Sequence, residues 1–346
     1  MENFRNKIFT IVSFDKEVGG ISTMIELSSK AMASKVKTIN LFLLKDTNTT
    51  KKIKKNLSKK NNIYIYEISF FEKIIIKFGI LSKNMNKKIL NSDLVFLHNT
   101  KLIRNFAKFF NIIPIILFFH TDKKKQLKKL EYVNRVFTVN SKMQKNINSY
   151  FKKEKALLLP NCINFKNFKS TSKKNTTKFK IGTMCRLVEK KGIGQLIKLF
   201  KEIPDMDLVI AGDGPLMEYF KKLAHGHNNI KLLGWVENKK NFFSQIDLFC
   251  SSSKIEPFGL VLLEAMARGV PVISTNCDGP NDIIKHDYNG ILFNKDNFNE
   301  LRDNLYKLKN NLSLRKKIIK NGLDTIKKNY TIETYTENLF SLLKNI

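Results

Sequence analysis

The 346-residue sequence is short of several features that would place it at once. Four cysteines (Cys162, Cys185, Cys250 and Cys277) show no paired spacing and no metal-ligand rhythm, which excludes a disulfide scaffold or a zinc module and favours a reduced, cytoplasmic compartment. The longest uninterrupted apolar run, Ile112 to Phe119, falls far below the ~18 residues of a membrane span. The opening Met1-Glu-Asn-Phe-Arg-Asn-Lys leads into an apolar stretch that ends at Asp15, a poor match to a signal peptide. Acidic residues number 30 against 62 basic ones, for a formal charge of +32, yet only seven of the basic residues are Arg.

Such a charge first suggests nucleic acid, but base edges are read largely by guanidinium groups. The overuse of Lys, Asn, Ile and Phe resembles an A+T-rich coding bias, so a specific nucleic-acid partner is not expected. The charge is also uneven: residues 1–170 hold 34 basic and 11 acidic side chains, whereas residues 171–346 hold 28 and 19. A basic first half with Phe and Ile between the lysines suits an anionic surface, either a lipid headgroup layer or an acidic glycan. Compositional bias is the competing explanation and carries equal weight.

What is abundant is apolar residue, 42% of the chain, arranged as short runs alternating with helical stretches. Strands are expected at Lys7–Phe14, Lys37–Leu44, Asn62–Tyr66, Asp93–Leu97, Pro114–Phe119 and Arg135–Val139, with Lys101–Phe110 long enough to be a crossover helix. Continuous apolar strands of this kind belong to parallel sheets buried on both faces. Asn164–Lys180 has almost nothing to bury and reads as a linker. The strand–helix rhythm resumes at Phe179–Met184 and continues through Asp207–Ala211, Ile230–Leu233, Ile246–Ser251 and Val270–Ser274. The expected fold is therefore α/β: two doubly wound, Rossmann-like parallel-sheet domains facing across a cleft, residues 1–165 and 166–329, with a last helix in 330–346 returning to the first.

Ligands in such sheets bind beyond the carboxyl ends of the strands, so the loops there carry the chemistry. The richest is Ser253-Lys-Ile-Glu-Pro-Phe-Gly-Leu-Val-Leu-Leu-Glu-Ala-Met. Pro257 keeps Glu256 out of the following helix, which opens with the backbone N–H groups of Gly259, Leu260 and Val261, a place that favours an anion. Glu264 lies just over a turn further in.

This segment resembles the Glu-x7-Glu signature of retaining nucleotide-sugar glycosyltransferases of the GT-B fold, group 1 (family four), with Phe258 inside the signature. Met184-Cys-Arg-Leu-Val-Glu-Lys-Lys-Gly192 resembles the family's Gly-Arg-Leu-x-x-x-Lys-Gly loop, with Cys185 in place of the first Gly. Ile210-Ala-Gly-Asp-Gly-Pro215 is similar to its Gly-x-Gly turn, and Leu233-Gly-Trp-Val-Glu237 to the loop that reads the base. The resemblance implies that Arg186 and Lys191 clamp the donor diphosphate and that Gly212, Gly214, Trp235 and Val236 border the nucleotide. It further implies that Glu264 takes the ribose hydroxyls and that Glu256 holds the sugar. Taken singly, Arg186 and Lys191 read as surface cations, the two glycines as a tight turn and Trp235 as core.

In the first half the resemblance is carried by Gly19-Gly20 after the first strand, near the donor phosphates, and by His120, near the transferred sugar. His98 and Asn99 also end a strand and are candidates for the acceptor. Leu159-Pro-Asn-Cys-Ile163 resembles the hinge-side motif. Cys277-Asp-Gly-Pro-Asn-Asp-Ile-Ile284 resembles a stretch of transferases that extend bacterial surface glycans, including lipopolysaccharide-core hexosyltransferases.

The function so implied is transfer, with retention, of a hexose or N-acetylhexosamine from a nucleotide sugar, with UDP the expected nucleotide, to a lipopolysaccharide-core, lipid-linked or other surface-glycan acceptor. No cofactor or metal is expected, because two cations and a helix start can take the leaving charge. Cytoplasmic, peripheral contact with an anionic membrane is part of the same expectation. Phe70-Phe-Glu-Lys-Ile-Ile-Ile-Lys-Phe78 is the candidate segment, although its composition reads first as a buried helix or strand. Two other classes compete: a basic nucleic-acid-binding protein, and a catalytically silent scaffold of the same fold.

Overall fold

The computed structural model describes residues 4–121, 124–165 and 178–346; most of the expected linker, 166–177, lies outside the described residues. Contacts divide the chain into two compact units, Met1–Cys162 with Ile332–Ile346, and Ile163–Thr331.

The first unit is a seven-stranded sheet of β1 (Ile8–Ser13), β2 (Thr38–Leu44), β3 (Ile63–Ile68), β4 (Leu94–Leu97), β5 (Ile115–Phe119), β6 (Arg135–Thr138) and β7 (Ala156–Leu158). Its order is β3-β2-β1-β4-β5-β6-β7 and every pair is parallel. Burial explains the sequence pattern. Strands β4 and β5, covered on both faces, bury every residue, whereas the edge strand β3 buries only Ile68 and exposes Tyr64. The strand order reverses between β1 and β4, so the segments leaving their carboxyl ends diverge and open a crevice there.

The second unit repeats the plan with β8 (Phe179–Met184), β9 (Met206–Ala211), β10 (Ile230–Gly234), β11 (Leu248–Ser251), β12 (Val272–Thr275) and β13 (Ile291–Phe293), in the order β10-β9-β8-β11-β12-β13. Its switch point falls between β8 and β11, which pair through Leu248–Ile181 and Phe249–Gly182. The core beside it is aliphatic and aromatic, with Ile181, Leu208, Ile210, Leu248 and Phe200 fully buried.

Two expectations need correction. Residues 101–110 do not form one crossover helix. Asn99 Oδ1 accepts a hydrogen bond from Lys101 N, which holds the start in a turn, and only the short helix Ile103–Phe106 and the 3-10 turn Ala107–Phe109 follow. Phe70–Lys77 is a helix, but it is not buried: Ile76 alone is inward, and Phe70, Phe71 and Phe78 are 68%, 75% and 79% exposed. Among the described residues no helix is long and apolar enough to cross a membrane.

The helix Ile332–Leu343 belongs to the first unit, against the helix Gly20–Ala33. It buries Tyr335, Leu339, Phe340 and Leu343, and the Phe340 ring sits 5.0 Å from Phe4 and 6.5 Å from Phe9. Replacing a buried Phe by Ala removes both transfer free energy and packing. Phe340→Ala is expected to destabilise this unit by about 3–5 kcal/mol, read from urea denaturation.

Candidate functional site

In the second unit two loops are joined into one rigid assembly by backbone contacts that only glycine permits. Cys185 N donates to Ala211 O at 3.1 Å, and Leu187 N donates to Asp213 O at 2.9 Å, so Arg186 is presented between two pinned residues. Gly212 has φ +127, and a Cβ on it would stand 1.8 Å from Cys185 O; one on Gly214 would stand 2.5 Å from Leu187 O. The turn is therefore a clamp on the Arg186 segment. Cys185 itself keeps a negative φ, so the position that is Gly in the family pattern needs no glycine geometry here.

The next contact brings in β11. Ser252 Oγ donates to Lys191 O at 3.0 Å, and Lys254 N donates to Lys190 O at 2.8 Å. Gly192, left-handed at φ +69, caps the helix Ile193–Lys201, and its missing Cβ would fall 2.2 Å from Ser252 O. This arrangement brings Lys191 Nζ to 2.6 Å from Glu256 Oε2, both side chains being mostly buried. Burial acts to lower the Lys191 pKa, but the Glu256 charge and hydrogen bond outweigh it and the net direction is upward, so the ammonium stays charged.

Glu256 is steadied by its own backbone. Gly279 N donates to Glu256 O at 3.0 Å, and a Cβ on Gly279 would come 2.3 Å from Phe258 Cα. Phe258 is buried with its ring against Tyr330, so it can offer a ligand only its main chain. Gly259 is left-handed at φ +105 and opens the helix Leu260–Met266; Leu260 and Val261 are half-buried. The second glutamate of the signature, Glu264, receives both its hydrogen bonds from Lys239 Nζ, at 2.8 and 2.7 Å. Lys239 follows the loop that contains Trp235 and Val236. Trp235 is 61% exposed, so the reading of it as core is wrong; Val236 is half-buried.

The first unit presents its own group. His98, at the end of β4, and His120, at the end of β5, meet through Nδ1 and Nε2 at 3.0 Å, and His98 stacks on Phe118 at 4.5 Å between centroids. Burial pulls the His120 pKa down to about 4, and burial with the neighbouring His120 holds His98 well below the ordinary imidazole range. Both rings are therefore neutral near pH 7, and a direct nitrogen–nitrogen hydrogen bond then has one ring donating N–H and the other accepting on its bare nitrogen. Gly19 is extended, with open space where a Cβ would be, so the Gly19–Gly20 turn is not sterically forced; Ser22 Oγ bonds both Gly19 N and Gly19 O. Burial and nearby Glu17 raise Asp15, in the same loop, to about 6.

Sequence reasoning missed Lys239, Ser252, Gly279 and Asp15, which lie outside the motifs that carried the argument or act through backbone. It did name both histidines, but not their contact. An Asp-x-Asp was not expected from the sequence, yet Asp205-Met-Asp207 is one; it stands at the amino end of β9, away from the carboxyl edge, where Tyr306 Oη donates to Asp205 at 2.8 Å and Lys309 pairs with it. Among the described residues no group of three His, Cys, Asp or Glu side chains is placed to hold a metal. All four cysteines are free thiols, with Cys277 Sγ against Ser253 O at 3.6 Å.

Two outcomes are expected. Gly192→Ala combines an unfavourable left-handed φ with a backbone collision and should cost about 1–3 kcal/mol in chemical denaturation. For the histidines, the unfolded chain takes up protons near pH 6.5, whereas the folded unit holds His98 well below that range and does not protonate His120 until about 4. The stability they contribute is thus complete above the unfolded value and lost as pH falls through this window. Calorimetric melting should show the loss on acidification, and a smaller loss in His98→Phe.

With this geometry in place, comparison with known proteins is specific. Residues 164–325 match the family model of the glycosyl transferases group 1. The lipopolysaccharide core biosynthesis glycosyltransferase LpsE of Rhizobium meliloti is 29% identical over 164 residues, 46% of this chain and 48% of LpsE. An uncharacterized glycosyltransferase of Methanocaldococcus jannaschii is 31% identical over 230 residues, 62% of this chain and 64% of that protein. The chain thus spans about half the length of LpsE and less than two thirds of the archaeal relative. In fold, it is similar to the crystal structure of Anabaena HepE in complex with UDP and glucose, with a TM-score of 0.82 at 16% identity over 99% of this chain and 100% of HepE. The second unit is a domain of the group 1 glycosyl transferases, set in a chain of GT-B architecture.

Proposed function

We propose that the protein is a retaining glycosyltransferase that moves a hexose or N-acetylhexosamine from a UDP-sugar to a lipopolysaccharide-core, lipid-linked or other surface-glycan acceptor. One observation carries the reading: Lys191 and Glu256 pair at 2.6 Å at the switch point of the second unit, beside the start of the helix at Gly259. LpsE supports the acceptor class by its name, and HepE supports the donor by the UDP in its crystal. The acceptor's place on a membrane-bound glycan makes the enzyme peripheral and cytoplasmic-facing in this reading.

The chemistry follows from charge. Departure of the nucleotide breaks the anomeric C–O bond and leaves its electron pair on the β-phosphate. Catalysis needs positive groups fixed where that charge grows. Lys191 is held charged by Glu256, and Arg186 is held by the Gly212–Gly214 clamp. The helix Leu260–Met266 has under two turns, so the main-chain amides at its start add less than either cation. These groups replace a metal in the mechanism.

Donor binding draws Lys191 towards the diphosphate and frees Glu256 to accept from sugar hydroxyls and face the positive anomeric carbon. Glu264, oriented by Lys239, takes the ribose hydroxyls, and exposed Trp235 with Val236 borders the base. The acceptor hydroxyl attacks from the leaving-group face, and its proton passes to the departing phosphate oxygen. For the first unit, the family resemblance assigns a sugar contact to His120, whose ring is neutral, and a phosphate contact to the Gly19–Gly20 turn, which has no side chain in the way.

The test is donor turnover. A panel of nucleotide sugars identifies the donor by thermal stabilisation, and UDP release then measures transfer and hydrolysis. Lys191→Ala and Glu256→Ala should each lower turnover by about 10²–10³-fold with unchanged circular dichroism. Turnover close to wild type in both variants would remove this site.

A further inference from the structure

The helix Phe70–Lys77 reverses the usual arrangement of an amphipathic helix. Phe70, Phe71, Ile74, Ile75 and Phe78 follow the spacing i, i+1, i+4, i+5, i+8, which places them on one face. That face is the exposed one, while Ile76, from the opposite side, is the single residue buried. Ile80, after the left-handed Gly79, extends the apolar surface and is exposed as well. Aromatic and aliphatic side chains gathered in this way mark an interaction site rather than ordinary surface.

The helix is firmly built. Ser69 Oγ accepts from Glu72 N, and Ser69 N donates in return to Glu72 Oε2 at 2.8 Å. At its far end Asn105 Nδ2 donates to Ile76 O, and Lys108 Nζ donates to Gly79 O at 3.2 Å. The outward phenylalanines thus stand on a capped and anchored element.

What surrounds them is cationic. Lys77 and Lys83 are exposed at the end of the helix and just after it, and Glu72, the one acidic residue of the helix, is engaged in its cap. Lys73 is held below its ordinary pKa by burial and then by the nearby charges of Lys16, Lys77 and Lys101. Lys16, Lys45 and Lys73 also line, with Phe70, a cavity of about 390 Å³ whose one acidic residue is Asp46. Lys16 and Lys45 follow β1 and β2 and Lys73 follows β3, so the cavity lies at the carboxyl edge of the sheet, where the Gly19–Gly20 turn also lies.

We propose that the exposed face of Phe70–Phe78, with this ring of lysines, is a docking surface for an anionic lipid bilayer. The phenylalanines enter the interface between headgroups and acyl chains while the ammonium groups meet lipid phosphates. A second copy of the chain suits the surface poorly, because two-fold pairing of this face would set lysines against lysines. The inference deepens the peripheral placement of the proposed function by naming the surface and the lipid charge, but it does not depend on the donor site and needs no glycosyl transfer.

The experiment is co-sedimentation with phosphatidylcholine vesicles, with and without roughly one third phosphatidylglycerol, at low salt. The full chain should pellet with the anionic vesicles and remain in the supernatant with the neutral ones. Phe71→Ser with Phe78→Ser should lower the bound fraction at least about tenfold, the protein remaining folded by circular dichroism, because both side chains are exposed. Lys191→Ala should pellet like the wild type, so failure of the transferase reading would leave this result intact. No retention of the wild type, equal retention on neutral vesicles, or a double variant that binds unchanged would overturn the proposal. So would a wild-type dimer that the double variant abolishes, which would assign the face to self-association.

Discussion

Lys191 and Glu256 are 65 residues apart, and they meet because β8 and β11 are neighbours in a parallel sheet. That adjacency sets most of what the second unit can do. A parallel sheet delivers every loop that follows a strand to the same edge, and the reversal of strand order parts two of them. The ion pair sits where they part. Its two charges are mostly withdrawn from water, so neither is tolerable without its partner, and a ligand that engages one must answer for both. An exposed pair of the same chemistry would be screened by water and would position nothing.

Precision in this region comes from glycines more than from charged residues. Gly192, Gly212, Gly214 and Gly279 each stand where a Cβ would strike a backbone atom of a neighbouring loop. Close backbone approach lets one loop brace the next, so Arg186 and Lys191 are carried on main chain that is itself hydrogen-bonded. Gly19 is different, with open space around it, and the capping there is done by Ser22.

The first unit uses the same sheet logic with different chemistry. Its histidines form a neutral, stacked pair in place of an ion pair, kept neutral by burial. Its unusual element is the helix after β3, whose apolar face looks outward while Ile76 alone is buried. Lysines lie on both the helix and the loops beside it, so the excess charge of residues 1–170 is locally concentrated as well as compositionally high.

How much could be read in advance depended on whether a feature is local in the chain. The two parallel sheets were written in the continuous apolar runs, since a strand covered on both faces needs apolar residues at each position, as β5 shows. Glu256, Glu264, Arg186 and Lys191 were legible because each belongs to a motif contiguous in sequence. Lys239 was not, because its role exists only when the loop after β10 reaches Glu264 from another strand. The burial of Phe258, the exposure of Trp235 and the outward turn of Phe70, Phe71 and Phe78 were undecidable from composition, which is the same for a buried and an unpartnered apolar side chain. Only the arrangement of neighbours, present in the tertiary structure and nowhere else, decides which of them has a surface to pack against.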